Sequence, residues 1–317
     1  MVNKNILIAG LGNIGKRYLE SINNSNFKYN VYILEKNYLS YTRTKKNLKN
    51  DKFKHKVKIC FKQNQLAKNF FLAIIATTAD VRVYVTKLIL KKKVKYWIFE
   101  KPLGQSLDDI IFFKKNFIRK NSWINLPRTS FKLFSYIKKL IKNKKIKKIE
   151  VRGNNWGLCC NGIHYLYLFS WLLNSSIKAV DYQGLKKWQP AKRKGFWEVE
   201  GQMNVIFKNN TKGVLKADIK SEKEKTCKLS IYLNKQKITY DEIKKCIYFN
   251  NKVQIRDIKI PLLSKSFNKT LDKIKVKKNC DLPPLRSVVT HHEFFLKSLI
   301  KSWAIYKKRK INFAPIT

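Results

Sequence analysis

Gly10, Gly12 and Gly15 give the segment Gly10-Leu11-Gly12-Asn13-Ile14-Gly15 the spacing G-x-G-x-x-G. Glycines so placed suit a chain that must turn tightly at Gly10, bring bare backbone against a pyrophosphate at Gly12, and pack a helix on a strand at Gly15. The helix that follows would aim unpaired N–H groups and partial positive charge at the phosphates. Glu35 ends the next strand-like run, about 20 residues after Gly15, where a carboxylate can accept hydrogen bonds from ribose hydroxyls. That favours NAD, while Lys36 and Arg43 would suit the 2′-phosphate of NADP, the alternative cofactor.

A second group, Glu100-Lys101-Pro102, follows the strand-like run 96–99, which puts it at the carboxyl edge of a sheet, where open α/β folds bind ligands. A lysine means little by type among 69 Lys and Arg, but one at that edge is suited to proton transfer. His164 lies in the apolar run 162–173, and reads either as a proton-transfer group or as a core histidine with one backbone hydrogen bond. His291 and His292 are adjacent on an amphipathic helix with no carboxylate or thiol cluster beside them, so packing is expected there and no metal. The six cysteines show no C-x-x-C spacing, which fits reduced thiols in a cytosol, and Cys159-Cys160 reads as two small residues rather than a redox pair.

These residues need a scaffold of alternating strands and helices, and the first half of the chain has that pattern. Residues 5–9 read as a strand, after which Ile14, Tyr18 and Ile22 recur along one helix face. Residues 31–34 read as a second strand. The run 70–76 is continuously apolar, as expected of a central strand covered on both faces. Val81, Val85, Leu88 and Ile89 mark the next helix, 96–99 the next strand, and Ser106-Leu107-Asp108-Asp109 has the form of a capping box. Past about residue 123 period-two alternation dominates. Strands are expected at 146–152, 199–207, 214–219, 228–233, 237–241 and 247–249, the second and third forming a hairpin, with helices at 162–173 and from about Leu285 to Trp303. The expected fold class is α/β plus α+β. Residues 1–122 form a Rossmann doubly wound parallel sheet, and residues 123–317 a substrate-binding and oligomerisation domain on a mostly antiparallel open sheet.

The 317 residues carry 69 basic against 20 acidic side chains, a net charge of +49, which alone would suggest a polyanionic partner. The lysines run through nearly every segment, however, and the short clusters 91–93, 144–148 and 307–310 fall at loop or terminal positions, so no specific nucleic acid is expected. An AT-rich coding sequence accounts for abundant Lys, Asn, Ile, Phe and Tyr, but leaves the scarcity of acids unexplained. The longest apolar runs, 70–76 and 162–173, fall short of the roughly 20 residues that span a bilayer. Strand-like sequence begins at Asn5, so no exported leader and a cytoplasmic location are expected.

Together, Gly10 to Gly15, Ala76-Thr77-Thr78, Glu100-Lys101-Pro102-Leu103-Gly104, Asn125-Leu126-Pro127-Arg128 and Gly162-Ile163-His164 resemble the glucose-fructose oxidoreductase, inositol dehydrogenase and rhizopine-catabolism (Gfo/Idh/MocA) family across essentially the whole chain. The resemblance implies reversible hydride transfer between NAD(P) and a carbinol or carbonyl of a sugar, sugar nucleotide or related polyol, with surface-polysaccharide sugar metabolism as one setting. It implies a cofactor held by Gly10, Leu11, Gly12, Asn13, Ile14, Gly15, Glu35, Thr77, Thr78, Glu100 and Lys101. Lys101 would bind and polarise the reacting oxygen and His164 would be the general acid/base. Asn125, Arg128, Arg152, Trp156, Cys160 and Asn161 would join them around the substrate. A homodimer or homotetramer through the C-terminal sheet is also implied. The chain departs from the family at three places. Cys160, beside Asn161, replaces an aspartate four residues before the histidine; Tyr167 replaces one three residues after it; Arg82 replaces a histidine near the start of the helix after strand four. Two alternatives therefore stand beside dehydrogenation: an NAD-dependent lyase or glycosidase of the same family, and a non-catalytic NAD- or nucleic-acid-binding protein. Arg128 and Arg152 read either as grips for an anionic substrate group or as surface ion pairs.

Overall fold

The computed structural model describes residues 4–35, 37–49, 51–219 and 225–317, so Lys36 lies outside the described residues. The first half runs β1 (Lys4–Ala9), α1 (Asn13–Asn23), β2 (Tyr29–Leu34), α2 (Tyr38–Asn47), β3 (Lys56–Cys60), β4 (Asn69–Ile75), α3 (Ala79–Leu90), β5 (Lys93–Phe99), α4 (Leu107–Phe117) and β6 (Ser122–Ile124). The six strands form one sheet in the order β3-β2-β1-β4-β5-β6, with every neighbour parallel. This is the Rossmann order, and its direction reverses between β1 and β4. Every residue of β4 after Asn69 is buried, which is why that strand reads as an unbroken apolar run. Beside it, Trp97 and Phe99 of β5 meet Phe113 and Phe117 of α4 at ring-centroid distances of 4.8 to 5.0 Å. Aromatic pairs at this spacing add about 0.5–1.5 kcal/mol each beyond their burial.

The chain divides into two compact units. The first holds the residues through Gly104, Ile111–Asn125 and Pro261–Ser287; the second holds Gln105–Ile110, Leu126–Ile260 and Val288–Thr317. The single boundary expected after residue 122 does not anticipate the return of Pro261–Ser287. That return is made by α7 (Leu263–Lys277), whose Phe267, Leu271 and Ile274 are buried in the same core as Tyr18 and Ile22 of α1. The Tyr18 and Phe267 rings meet edge-on at 4.7 Å, and Ser21 Oγ accepts a hydrogen bond from the Asn268 backbone N–H at 2.8 Å.

The second unit contains α5 (Lys132–Leu140), β7 (Ile146–Asn154), α6 (Leu158–Leu173), β8 (Ile177–Asp181), β9 (Leu185–Pro190), β10 (Trp197–Phe207), β11 (Lys212–Asp218), β12 (Lys228–Leu233), β13 (Lys237–Asp241), β14 (Cys246–Phe249), β15 (Lys252–Ile255) and most of α8 (Leu285–Tyr306). Its nine strands form one sheet in the order β15-β14-β13-β12-β7-β11-β10-β8, with β9 also on β10. Among the described residues of this sheet only β7 and β11 pair in parallel. The expected mostly antiparallel sheet and the β10–β11 hairpin are both present. The helix expected at 162–173 begins a turn earlier, at Leu158, because Gly157 enters it with φ +75°, a left-handed geometry that favours glycine. The capping box is formed: Ser106 Oγ accepts from Asp109 N at 3.1 Å, and Asp109 Oδ2 accepts from Ser106 N at 3.0 Å. Among the described residues no helix is long and apolar enough to cross a membrane.

Candidate active site

The ladder of the parallel sheet runs one residue beyond each central strand. Gly10 N donates to Leu34 O (2.8 Å), Glu35 N to Cys60 O (2.9 Å), Ala76 N to Ala9 O (2.9 Å), Glu100 N to Ile75 O (3.1 Å) and Asn125 N to Phe99 O (2.9 Å). Glu35, Gly10, Ala76, Glu100 and Asn125 therefore stand side by side along the carboxyl edge, on either side of the switch point. Open α/β sheets bind ligands in that crevice.

At its centre is the glycine turn. Gly10 has φ +87°, and a Cβ there would lie 3.2 to 3.3 Å from Thr77 atoms. A Cβ on Gly15 would lie 2.1 Å from the Gly10 carbonyl oxygen, so α1 rests directly on the turn. Gly12 is different. Nothing among the described residues lies within 4 Å of its Cβ position, and its backbone is one any residue can adopt. Asn13 beside it is exposed, Ile14 half-buried and Leu11 buried. No side chain caps α1 and its first turn holds no acid, which leaves its N–H groups and positive dipole end receptive to an anion. Thr77 Oγ1, across from the turn, is buried with no hydrogen-bond partner among the described residues. Leaving a buried hydroxyl unsatisfied costs about 1–3 kcal/mol, a cost that a ligand oxygen would remove. Thr78 precedes α3 in extended conformation, and its side chain makes no cap bond.

Glu35 turns its carboxylate toward the glycine turn. Its Oε1 accepts from Leu11 N at 3.3 Å and from the Thr44 hydroxyl of α2 at 2.6 Å, and the residue is 8% exposed. Arg43, the neighbour of Thr44, is exposed. At the other end of the row, Glu100 Oε1 accepts from the Tyr18 hydroxyl at 2.7 Å and from Asn125 Nδ2 at 2.6 Å. Burial, and then the Glu100 charge, push the Tyr18 phenol well above its usual pKa, so it stays protonated as the donor. Lys101 is next to this anchored residue and half-buried. Asn125 Oδ1 is a second buried atom without a partner among the described residues.

In the second unit, Cys160, Asn161, His164, Tyr167 and Trp171 are the incompletely buried residues of α6, and their spacing puts them on one face. The first turn of this helix is held by a residue that the sequence reading misses. Glu198 of β10 accepts from Cys159 N through Oε2 (2.8 Å) and from Cys160 N through Oε1 (3.1 Å). Asn161 Nδ2 donates to Trp156 O at 2.6 Å. Trp156 is buried and its indole donates to Lys216 O at 2.9 Å, which makes it a packing residue in this unit. The Tyr167 ring lies 5.3 Å from that of His291, whose Nε2 is 2.8 Å from Ser170 Oγ. Arg82, in the first unit, is buried on α3 and donates to Thr77 O.

Both arginines expected at the substrate have carboxylate partners inside the second unit. Arg152 donates to Glu150 Oε2 at 2.9 Å, and Glu150 also takes a bond from the Tyr232 hydroxyl. The Arg128 guanidinium grips Glu242 with two bonds, 2.8 and 3.2 Å, and lies 4.4 Å from the Tyr165 ring centroid. Tyr165 donates its hydroxyl to Glu242 Oε2 at 2.6 Å. Burial would raise the Glu242 carboxyl pKa, but the charge and bonds of Arg128 outweigh it and hold the carboxyl below its usual range. Replacing Arg128 by Met removes that partner from a part-buried carboxylate and should lower unfolding stability by about 1–3 kcal/mol, read by urea titration. The pH dependence follows from the sign of the shift. The contribution of Glu242 is complete above the unfolded carboxylate value near about 4.3 and is lost as pH falls through the lower folded value. Wild type should therefore lose more stability than Arg128→Met between about pH 5 and about pH 3.

Thr44, Glu198 and Glu242 escape sequence reading because no motif surrounds them. The one available signal was the capping pattern of Asn37, whose Oδ1 accepts from Ser40 N at 2.9 Å and which announces α2, the helix bearing Thr44.

No family model matches the sequence, and no curated protein matches it. Solved structures do match in fold. A UDP-N-acetylglucosamine 3-dehydrogenase, GnnA from Acidithiobacillus ferrooxidans, is 11% identical with a TM-score of 0.68 over 95% of this chain and 99% of that one. GenD2 from gentamicin A biosynthesis, solved in complex with NAD, is 12% identical with a TM-score of 0.72 over 96% and 95%. A super-repressor mutant of Gal80p from Saccharomyces cerevisiae is 14% identical with a TM-score of 0.72 over 98% of both chains.

Proposed function

From the fold of the Gfo/Idh/MocA-type dehydrogenases, which this chain has, we propose that it is an NAD-dependent oxidoreductase acting on a carbinol or carbonyl of a sugar, sugar nucleotide or related polyol. The observation that carries the proposal is the row at the carboxyl edge. An open position at Gly12, an uncapped helix, a buried unpartnered threonine hydroxyl and an anchored Glu35 surround one switch point. These features fit a dinucleotide. Gly10 to Gly15 and the α1 N–H groups would hold its pyrophosphate, Glu35 its ribose, and Thr77 and Thr78 the segment beyond. When bound, the dinucleotide would supply reversible hydride chemistry at the carbinol or carbonyl carbon.

The chain's own residues manage position and protons. Lys101, beside a Glu100 fixed by Tyr18 and Asn125, donates to the reacting oxygen and polarises it. His164 takes the hydroxyl proton in oxidation and returns it in reduction. Glu35 favours NAD over NADP. A second copy of the chain against the sheet of the second unit, and a cytoplasmic setting, complete the proposal. Arg128 is left out of the substrate set, because its guanidinium is committed to Glu242.

The test is a panel of sugars and sugar nucleotides with NAD or NADH, followed by nicotinamide absorbance. One substrate should give net, stoichiometric change that Lys101→Ala removes. Turnover with retained cofactor and no net change would instead support the lyase or glycosidase reading. A non-catalytic sensor is favoured by one observation, the Tyr167 ring packed on His291 where the family carries an aspartate. Such a protein would bind NADH, turn over nothing, and keep its binding function in Lys101→Ala.

A further inference from the structure

Recognition of a ribose by Glu35 requires more than the presence of a carboxylate, because a carboxylate free to rotate could swing aside for a larger or charged group. Glu35 is not placed by its own strand alone. Thr44, on the last turns of α2, reaches back to Oε1 at 2.6 Å, while the backbone N–H of Leu11 in the glycine turn approaches the same oxygen at 3.3 Å. Thr44 is itself 6% exposed, so its hydroxyl meets the carboxylate away from water. A short bond to a charged oxygen in such surroundings is among the stronger hydrogen bonds. It leaves Oε2 as the oxygen through which the carboxylate would meet a ribose.

Resting on the dinucleotide reading above, we infer that Thr44 is the positioning residue that sets the preference of this site for a ribose 2′-hydroxyl over a 2′-phosphate. Two donors on Oε1 hold the carboxylate in one rotamer and keep its charge beside the turn. A 2′-hydroxyl donates to it; a doubly charged 2′-phosphate meets a fixed like charge. Exposed Arg43, the residue just before Thr44 on α2, offers a cation to a phosphate only if the carboxylate moves off. Without the Thr44 hydroxyl, the 3.3 Å contact from Leu11 is the remaining bond on that oxygen.

The experiment titrates NADH and NADPH separately into the full-length protein by calorimetry, for wild type, Thr44→Val and Thr44→Ser. Valine keeps the shape and removes the hydroxyl; serine restores it. Wild type should prefer NADH, Thr44→Val should lose about tenfold of that preference, and Thr44→Ser should recover most of it. Equal melting temperatures of the three apo proteins keep the comparison one of recognition. If wild type binds neither dinucleotide, the cofactor reading fails and this inference with it. If wild type binds NADH and the NADH to NADPH ratio is unchanged in Thr44→Val, the cofactor reading stands and the role of Thr44 is overturned.

Discussion

Alanine at Gly12 is expected to leave the apo protein as stable as before, or stabler by about 0.4–1 kcal/mol, while dinucleotide affinity falls at least about tenfold. The new methyl group meets no described atom within 4 Å, and the backbone there suits alanine, so the fold has no reason to object. The space the methyl enters is the space the proposal gives to the pyrophosphate. Alanine at Gly15 should behave in the opposite sense. Its methyl would sit 2.1 Å from the Gly10 carbonyl oxygen, and backbone on both sides must move. Overpacking of this kind costs about 1–3 kcal/mol, so the melting temperature falls and binding falls with it. Thermal melts with calorimetric NADH titrations on the two variants separate a glycine required by the ligand from one required by the fold. A stable Gly12→Ala protein with unchanged affinity would remove the pyrophosphate from this turn.

Lys101→Ala carries the second large effect. Turnover should fall about 10²- to 10⁴-fold, the range for loss of a positioned proton-handling group. NADH affinity should hold within about threefold, because the glycine turn, Glu35 and the anchored Glu100 remain. The Tyr18 and Asn125 bonds to Glu100 do not involve the Lys101 side chain. The loss should appear in kcat as much as in kcat/KM, the pattern of an interaction made in the transition state. His164→Asn should cost less than Lys101→Ala. The residues at Cys160 and Tyr167 supply no acid to orient the imidazole, and Glu198 of β10, the carboxylate at the first turn of α6, is bonded to the backbone of Cys159 and Cys160. Equal losses in the two variants would give His164 the larger role that the family pattern implies.

What the residues announce in advance depends on whether their cause is local. The parallel sheet is readable because β4 is buried and apolar beyond Asn69 and β5 over its last four residues, Tyr96 to Phe99, and the glycine turn because its three glycines fall within six residues, directly between a strand and a helix. β3 escapes because lysines alternate with Val57 and Ile59, and β6 because it is three residues long. α7 is obscured by its lysines, although Phe267, Leu271 and Ile274 keep a helical spacing that would have found it. The site divides the same way. Gly12, Glu35 and Lys101 sit in recognisable strand-end positions. Glu198 and Glu242 act on residues 39 and 114 positions away, a relation that only the folded chain creates. Arg128 shows the limit most clearly. Its type suits an anionic substrate, yet the fold brings Glu242 and Tyr165 to it, and the half-buried bidentate pair commits both ends of its fork to Glu242.

The position of the pyrophosphate can be seen directly in a crystal structure determined with millimolar NAD. The account predicts density for a dinucleotide across Gly10 to Gly15, with phosphate oxygens on the α1 N–H groups above Gly12 and the adenosine ribose on Glu35. Crystals that diffract well, carry NAD in the solution, and show that edge of the parallel sheet empty or the dinucleotide bound elsewhere would contradict it.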